Sequence, residues 1–175
     1  SSKIRDLLAP QDFLYTQVTL SKHTEIRVIG SILDILVAPD DPAAVVVQLA
    51  DNCIKLITTT ITEKAYCLVS GQLDEAHPDF IADLTSLTRP VTIYGYLAAG
   101  LVERHKNDGS PLTILCCDNI QNGGEHLRKG VQLLLQGVDK NAMAWVERNV
   151  TFASSMVDRV SPATDEPLKA LVRDK

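Results

Sequence analysis

Apolar positions along the chain alternate between the helical and the extended period, and the switches between the two outline its elements. Residues 4–8 read as the last turn of a helix. Residues 13–20 and 25–29 are rich in β-forming side chains and flank the polar Ser21-Lys22-His23-Thr24, which predicts a hairpin. Asp41 before Pro42 supplies an N-cap and a first helical residue for a helix to about Ala50, ahead of an apolar strand at 54–58. Pro90 opens the next predicted helix. It carries Ile93, Leu97 and Leu101 on one face, and Arg104, His105 and Lys106 in a last turn that complements the helix dipole before Gly109. A short strand is predicted at 112–117. From Gly124 onward, Leu127, Val131, Leu134, Leu135 and Val138 keep helical spacing, with Glu125 and Lys129 as an outward i,i+4 pair. Asp139 caps another helix with Ala142, Trp145 and Val146 inward, and residues 149–152 form one more strand.

Strand, helix, strand, helix, strand in this order predicts an α/β fold, a mostly parallel sheet with helices on both faces. In such open sheets ligands bind beyond the carboxyl ends of the strands. Three polar clusters stand there: residues 59–64 after the first strand, Asp118 and Asn119 after the second, and residues 154–159 after the third. Each has a plainer alternative. The threonines serve equally as β-branched strand residues with hydroxyls bonded to backbone. Asp118 and Asn119 suit an N-cap or Asx-turn before Gly123 and Gly124, and Asp158 with Arg159 suits a surface ion pair.

Composition narrows the field. The chain has 175 residues, a formal net charge of −5, 45% apolar and 22% charged residues, values of one globular domain. No stretch reaches the roughly 18 apolar residues of a membrane span, and residues 1–12 are too polar for a secretory signal, so a cytoplasmic location is expected. Basic residues are scattered singly without an aromatic platform, which disfavours nucleic acid as a partner. Cys53, Cys67, Cys116 and Cys117 form no C-x-x-C pair and read as buried reduced thiols. His23, His77, His105 and His126 show no metal spacing, so no metal is assigned.

The run Val150-Thr-Phe-Ala-Ser-Ser-Met-Val-Asp-Arg-Val-Ser-Pro162 resembles the signature of the mannitol dehydrogenase family, the polyol-specific long-chain dehydrogenases. Further segments agree in order: Gln11-Asp-Phe-Leu-Tyr-Thr16, Arg27-Val-Ile-Gly-Ser-Ile32, Ala38-Pro-Asp-Asp-Pro42, Thr60-Ile-Thr-Glu-Lys-Ala-Tyr66, His77-Pro78 and Cys117-Asp-Asn-Ile-Gln121. The resemblance covers nearly the whole chain. It implies a Rossmann-like domain in which residues 1–175 form part of the nucleotide-binding unit. It also implies NAD-dependent hydride transfer between a secondary alcohol of a polyol or sugar acid and the matching ketone, with NADP left open.

By the same resemblance, Asn119 matches the asparagine of an S-C-D-N segment, whose amide stabilises the developing oxyanion. Asp158 matches the aspartate of V-D-R, which holds a substrate hydroxyl. Glu63 is a group behind the site or on a proton path, and Thr60, Thr62 and Val157 are expected against the cofactor. Departures accompany the matches. The glycine of the family's T-E-x-G-Y is Ala65, the asparagine after D-N-[IL]-[PQ]-x is Gly123, and the proline and asparagine before S-M-V-D-R are Ala153 and Ser154. If that glycine has positive φ or admits cofactor, Ala65 adds a Cβ where room is needed. Such changes beside the site are compatible with drift in a less constrained copy.

Residues 1–175 contain neither G-x-G-x-x-G nor the family's G-x-G-x-F-x-R-x-H, and no Lys-x-x-x-x-Asn-x-x-His segment that would bring the general-base lysine. The expectation is therefore an incomplete or inactive fragment of the enzyme, prone to self-association through an open sheet edge. The alternative is a non-catalytic remnant acting as an interaction or regulatory module.

Overall fold

The computed structural model describes residues 2–20, 22–155, 157 and 164–173, which divide between two compact units. The first comprises residues 1–37 and 159–175. It contains helix α1 (Ser2–Leu8), a 3-10 turn (Ala9–Gln11) and the antiparallel pair β1 (Tyr15–Thr19) and β2 (Glu25–Ile29), registered Tyr15 against Ile29. The hairpin expected around residues 21–24 is therefore present. None of the described residues of this unit is buried.

The second unit, residues 38–158, holds the core. Its helix α2 (Pro42–Ala50) begins as expected, with the Asp41 carboxylate accepting from the Ala44 N–H at 2.9 Å. Strands β3 (Leu56–Thr59), β6 (Leu112–Cys116) and β7 (Val150–Ser154) form a parallel sheet in the order β3-β6-β7, the Rossmann-like arrangement. Between β3 and β6 come β4 (Leu68–Val69), β5 (Gln72–Leu73), α3 (Pro78–Thr85) and α4 (Ile93–Lys106). Between β6 and β7 come α5 (Gly123–Val138) and α6 (Lys140–Asn149), and α7 (Glu166–Arg173) belongs to the first unit. In β6, Leu112, Ile114 and Cys116 alternate inward and meet Leu127, Val131 and Leu134 of α5 in one cluster. Phe80 and Tyr66 stack edge-on against Tyr94 at centroid distances of 5.8 and 6.4 Å, and the Tyr94 hydroxyl donates to the Tyr66 carbonyl. No helix among the described residues is long and apolar enough to cross a membrane.

Several expectations are corrected. Helix α4 starts at Ile93 and not at Pro90, because Thr92 caps it: its hydroxyl accepts from the Gly95 N–H while the buried Asp83 carboxylate takes the N–H groups of Val91 and Thr92. Arg104 does more than face the helix dipole. It is wholly buried and donates to the carbonyls of Asp51, Ile54 and Ser110. Glu125 pairs with Arg128 at 2.8 Å, one residue short of the expected Lys129, because the guanidinium reaches the carboxylate with two N–H groups. Cys53 is exposed in the turn after α2, while Cys67 and Cys116 are buried and Cys117 is intermediate. Strand bounds shift by one or two residues: β3 begins at Leu56, and Asn149 closes α6 before β7.

Candidate functional site

Parallel pairing sets Thr59, Cys116 and Ser154 side by side as the last residues of their strands, so the three polar clusters emerge from one sheet edge. The Cys117 N–H donates to the Thr59 carbonyl and the Ser155 N–H to the Cys116 carbonyl, carrying the ladder one bond beyond each strand.

Asp118 is the next residue, and its carboxylate is buried at 8% exposure. It accepts from the Ile61 N–H at 2.5 Å, from the Tyr66 hydroxyl at 2.5 Å and from the Thr59 hydroxyl at 3.3 Å, with the Cys116 thiol at 3.4 Å. The expected Asx-turn or N-cap role is thereby replaced by a bridge to the β3 side. Tyr66 ends the 3-10 turn Glu63–Tyr66 and lies 3.1 Å from Cys116 Sγ. Burial, then the hydrogen bond to Asp118, then that to Cys116 push the Tyr66 phenol far above its ordinary range.

Asn119 follows on the loop to α5 and is exposed. Its amide makes no hydrogen bond with the described residues, and it borders two clefts. The larger, about 840 Å³, is lined by Lys64, Gln72, Asn119, Gln121, His126 and Lys129 among others. The smaller, about 380 Å³, brings Asn119 together with Ser154, Ser155 and Val157. The loop ends at Asn122, which takes a left-handed φ of 56° at the helix boundary without a side-chain cap. The Gly124 N–H at the start of α5 instead donates to Ser154 Oγ at 3.0 Å.

The site residues read from the sequence are thus only partly gathered. Asn119 and Val157 share a cleft. Thr60 and Thr62 are exposed on the same edge but line neither cleft, and Glu63 opens the 3-10 turn. Asp158 lies outside the described residues. Asp118 suits an N-cap or Asx-turn from its sequence and is instead a buried anchor held by Tyr66, a residue to which the sequence assigns no role. Lys64 lies in the polar cluster read from the sequence, whereas His126 and Lys129 reach the same cleft from α5, beside the unexpected hairpin β4–β5. Among the described residues, no three His, Cys, Asp or Glu side chains stand together as a metal site.

Residues 1–174 match the family described as the mannitol dehydrogenase Rossmann domain. The mannitol 2-dehydrogenase of Phaeosphaeria nodorum is 36% identical over 173 residues, 97% of this chain and 30% of that protein. The polyol:NADP oxidoreductase of Gluconobacter oxydans is 34% identical over 166 residues, 93% of this chain and 34% of that one. Pseudomonas fluorescens mannitol 2-dehydrogenase, solved as a ternary complex with NAD and D-mannitol, superposes with a TM-score of 0.87 at 33% identity, covering 99% of this chain and 36% of that one. A D-sorbitol dehydrogenase in substrate-free form gives 0.87 at 30% identity, with 37% of its chain covered. The chain spans about a third of the length of these relatives.

Proposed function

The chain belongs to the mannitol dehydrogenase family, and from that membership we propose that it serves NAD-dependent hydride transfer between a secondary alcohol of a polyol or sugar acid and the matching ketone. The observation that carries this is Asn119: an exposed amide beyond the carboxyl end of the central strand, bordering two clefts and without a hydrogen-bond partner among the described residues.

In this reading the Asn119 side-chain N–H donates to the substrate oxygen as negative charge grows on it. Val157, on the same cleft, is assigned to the cofactor together with Thr60 and Thr62 beyond the end of β3, and Glu63 is assigned a place behind the site. Asp158 is assigned to a substrate hydroxyl on the family resemblance alone. The cofactor, when bound, accepts the hydride. The residues present fit its nicotinamide end, since Asp118, Asn119, Ser154 and Ser155 from beyond β6 and the end of β7 line one cleft with Val157. They do not fit its pyrophosphate: the Gly124 N–H at the start of α5 is already taken by Ser154 Oγ, and no G-x-G-x-x-G occurs in residues 1–175. NAD is favoured by the Pseudomonas relative and NADP by the Gluconobacter one, so the two are assayed together. Four free cysteines agree with a cytoplasmic location. Self-association belongs to the same reading, because β3 and β7 each have a single neighbour among the described residues.

The test is a chimera in which residues 1–174 replace the matching segment of the Phaeosphaeria enzyme, assayed with NAD or NADP and mannitol or a sugar acid. Turnover is expected. Asn119→Ala should lower kcat by about 10²–10³ and change KM little. Near-unchanged kcat in that variant would remove the oxyanion role.

A further inference from the structure

We propose that Asp118, clamped by Tyr66, is a positioning residue that fixes the Asn119 amide relative to the Thr60–Thr62 segment. The proposal rests on the reading of Asn119 given above. A buried carboxylate is an expensive group: an apolar side chain of similar volume is often as stabilising or more so. Here that cost is offset by donors from three separate segments, namely Thr59 on β3, Ile61 on the following loop and Tyr66 at the end of the 3-10 turn.

The partners are placed so that one side chain ties the two loops together. Ile61 stands between Thr60 and Thr62, and its N–H binds Asp118 Oδ1. Asn119 is joined to Asp118 by a peptide bond. Beyond the last ladder bond, from the Cys117 N–H to the Thr59 carbonyl, the separation of the two loops is set by this one side-chain hydrogen bond. Tyr66 holds the other carboxylate oxygen, Oδ2, and stops the side chain from rotating away. Tyr66 is itself wholly buried, packed edge-on against Tyr94, so its hydroxyl has no freedom to follow a moving partner.

At its far end the same loop is pinned independently. Gly124 donates to Ser154 Oγ at 3.0 Å, and a Cβ on Gly124 would sit 2.6 Å from the Ala153 carbonyl oxygen, so α5 approaches β7 as closely as backbone allows. Residues 119–122 thus hang between two anchors, one on the β3 side and one on β7. The exposed Asn119 amide has no side-chain anchor of its own, and its position is inherited from Asp118. An oxyanion donor must be held within roughly 0.5 Å, and a misplacement of about 1 Å costs on the order of a hundredfold.

Two variants test the clamp. Tyr66→Phe removes one hydrogen bond and keeps the ring. Asp118→Asn keeps the shape but exchanges the charged acceptor for a neutral amide, whose oxygen takes the Ile61 N–H about half as strongly while its NH2 group meets hydroxyls that must turn round to accept. In the 175-residue chain, amide exchange followed by NMR should accelerate at Ile61 by about tenfold or more in Asp118→Asn. The Ile61 and Asn119 amide resonances should move in both variants, while those of α6 stay in place. In the chimera, both variants should lower kcat by about tenfold or more with KM for the polyol within about twofold. A role confined to stability would lower the unfolding midpoint and leave kcat per folded molecule unchanged. Unaltered Ile61 exchange in Asp118→Asn, or unchanged kcat in both variants, overturns the proposal. An unmutated chimera without turnover would sink the functional reading, whereas the exchange result decides the clamp regardless.

Discussion

Arg104→Met isolates what a single buried guanidinium contributes to the alignment of β3 and β6. Arg104 is completely buried, and its donors reach the carbonyls of Ser110, Asp51 and Ile54 at 2.9, 2.6 and 2.9 Å, with Ser110 Oγ at 3.1 Å. These carbonyls belong to the chain entering β3 and to the turn entering β6, so one side chain of α4 ties both strands at their amino ends. Methionine fills the stem volume and returns none of the donors. The Asp51 carbonyl keeps the Ile54 N–H, which leaves two carbonyls without a partner. At about 1–3 kcal/mol for each orphaned acceptor, less the desolvation recovered by removing a charge, the net loss is about 3 kcal/mol. That corresponds to a fall in Tm of roughly 6–12 °C at this size, or a urea midpoint lower by about 1–2 M. The single tryptophan, Trp145, lies 5.8 Å from the His105 ring at the end of the same helix, so its fluorescence reports the unit concerned. Arg104→Lys should recover only part of the loss, since an ammonium cannot fork to carbonyls on two sides. A loss below about 1 kcal/mol for Arg104→Met, with an unchanged denaturant slope, would mean that water replaces the guanidinium and the tie is dispensable.

Alkaline pH should unfold the second unit through its buried phenols. Burial raises Tyr66 and Tyr94, and also Tyr96 and the Cys67 thiol, so stability falls as pH climbs past about 9 for the thiol and about 10 for the phenols, as unfolded chains lose protons that folded ones keep. Each phenol contributes up to about 1.4 kcal/mol per pH unit; urea midpoints between pH 9 and 12 should show this slope, and Tyr66→Phe should remove the share of one phenol. The open edges of β3 and β7 predict concentration-dependent oligomers of the 175-residue chain; a monodisperse monomer by light scattering across a hundredfold dilution would contradict it.

What was legible in the sequence followed local rules. The Asp41-Pro42 start of α2, the hairpin β1–β2 and the capping of α6 by Asp139 are each decided within a few residues. The convergence of three loops at one edge followed from alternation and parallel pairing. Where long-range contacts decide, the pattern gave no warning. The start of α4 is displaced because Asp83, on another helix, supplies the acceptor for Val91 and Thr92. Helix α3 was passed over although Pro78 follows a capping His77, because eight residues give too few turns for a period to show. The β4–β5 hairpin had a readable signal in Ser70-Gly71, whose positive φ values of 51° and 77° suit a two-residue turn. The clamp on Asp118 joins residues more than fifty positions apart, and no spacing rule reaches that far.

The departures from the family pattern look different once their neighbours are known. The serine of S-C-D-N is Cys116 here, and the family asparagine is Gly123. A Cβ on Gly123 would collide with Cys116 Sγ, so a larger side chain at one position and none at the other occupy the same space. Ser154, in place of asparagine, supplies the acceptor for Gly124 at a helix start where Asn122 offers no cap. Ala65 is exposed in the 3-10 turn and is absent from the positive-φ residues, so its Cβ meets no backbone strain there. Random decay near a site leaves holes and unpaired donors. These substitutions leave the loop from Asp118 to Gly124 packed and bonded at both ends.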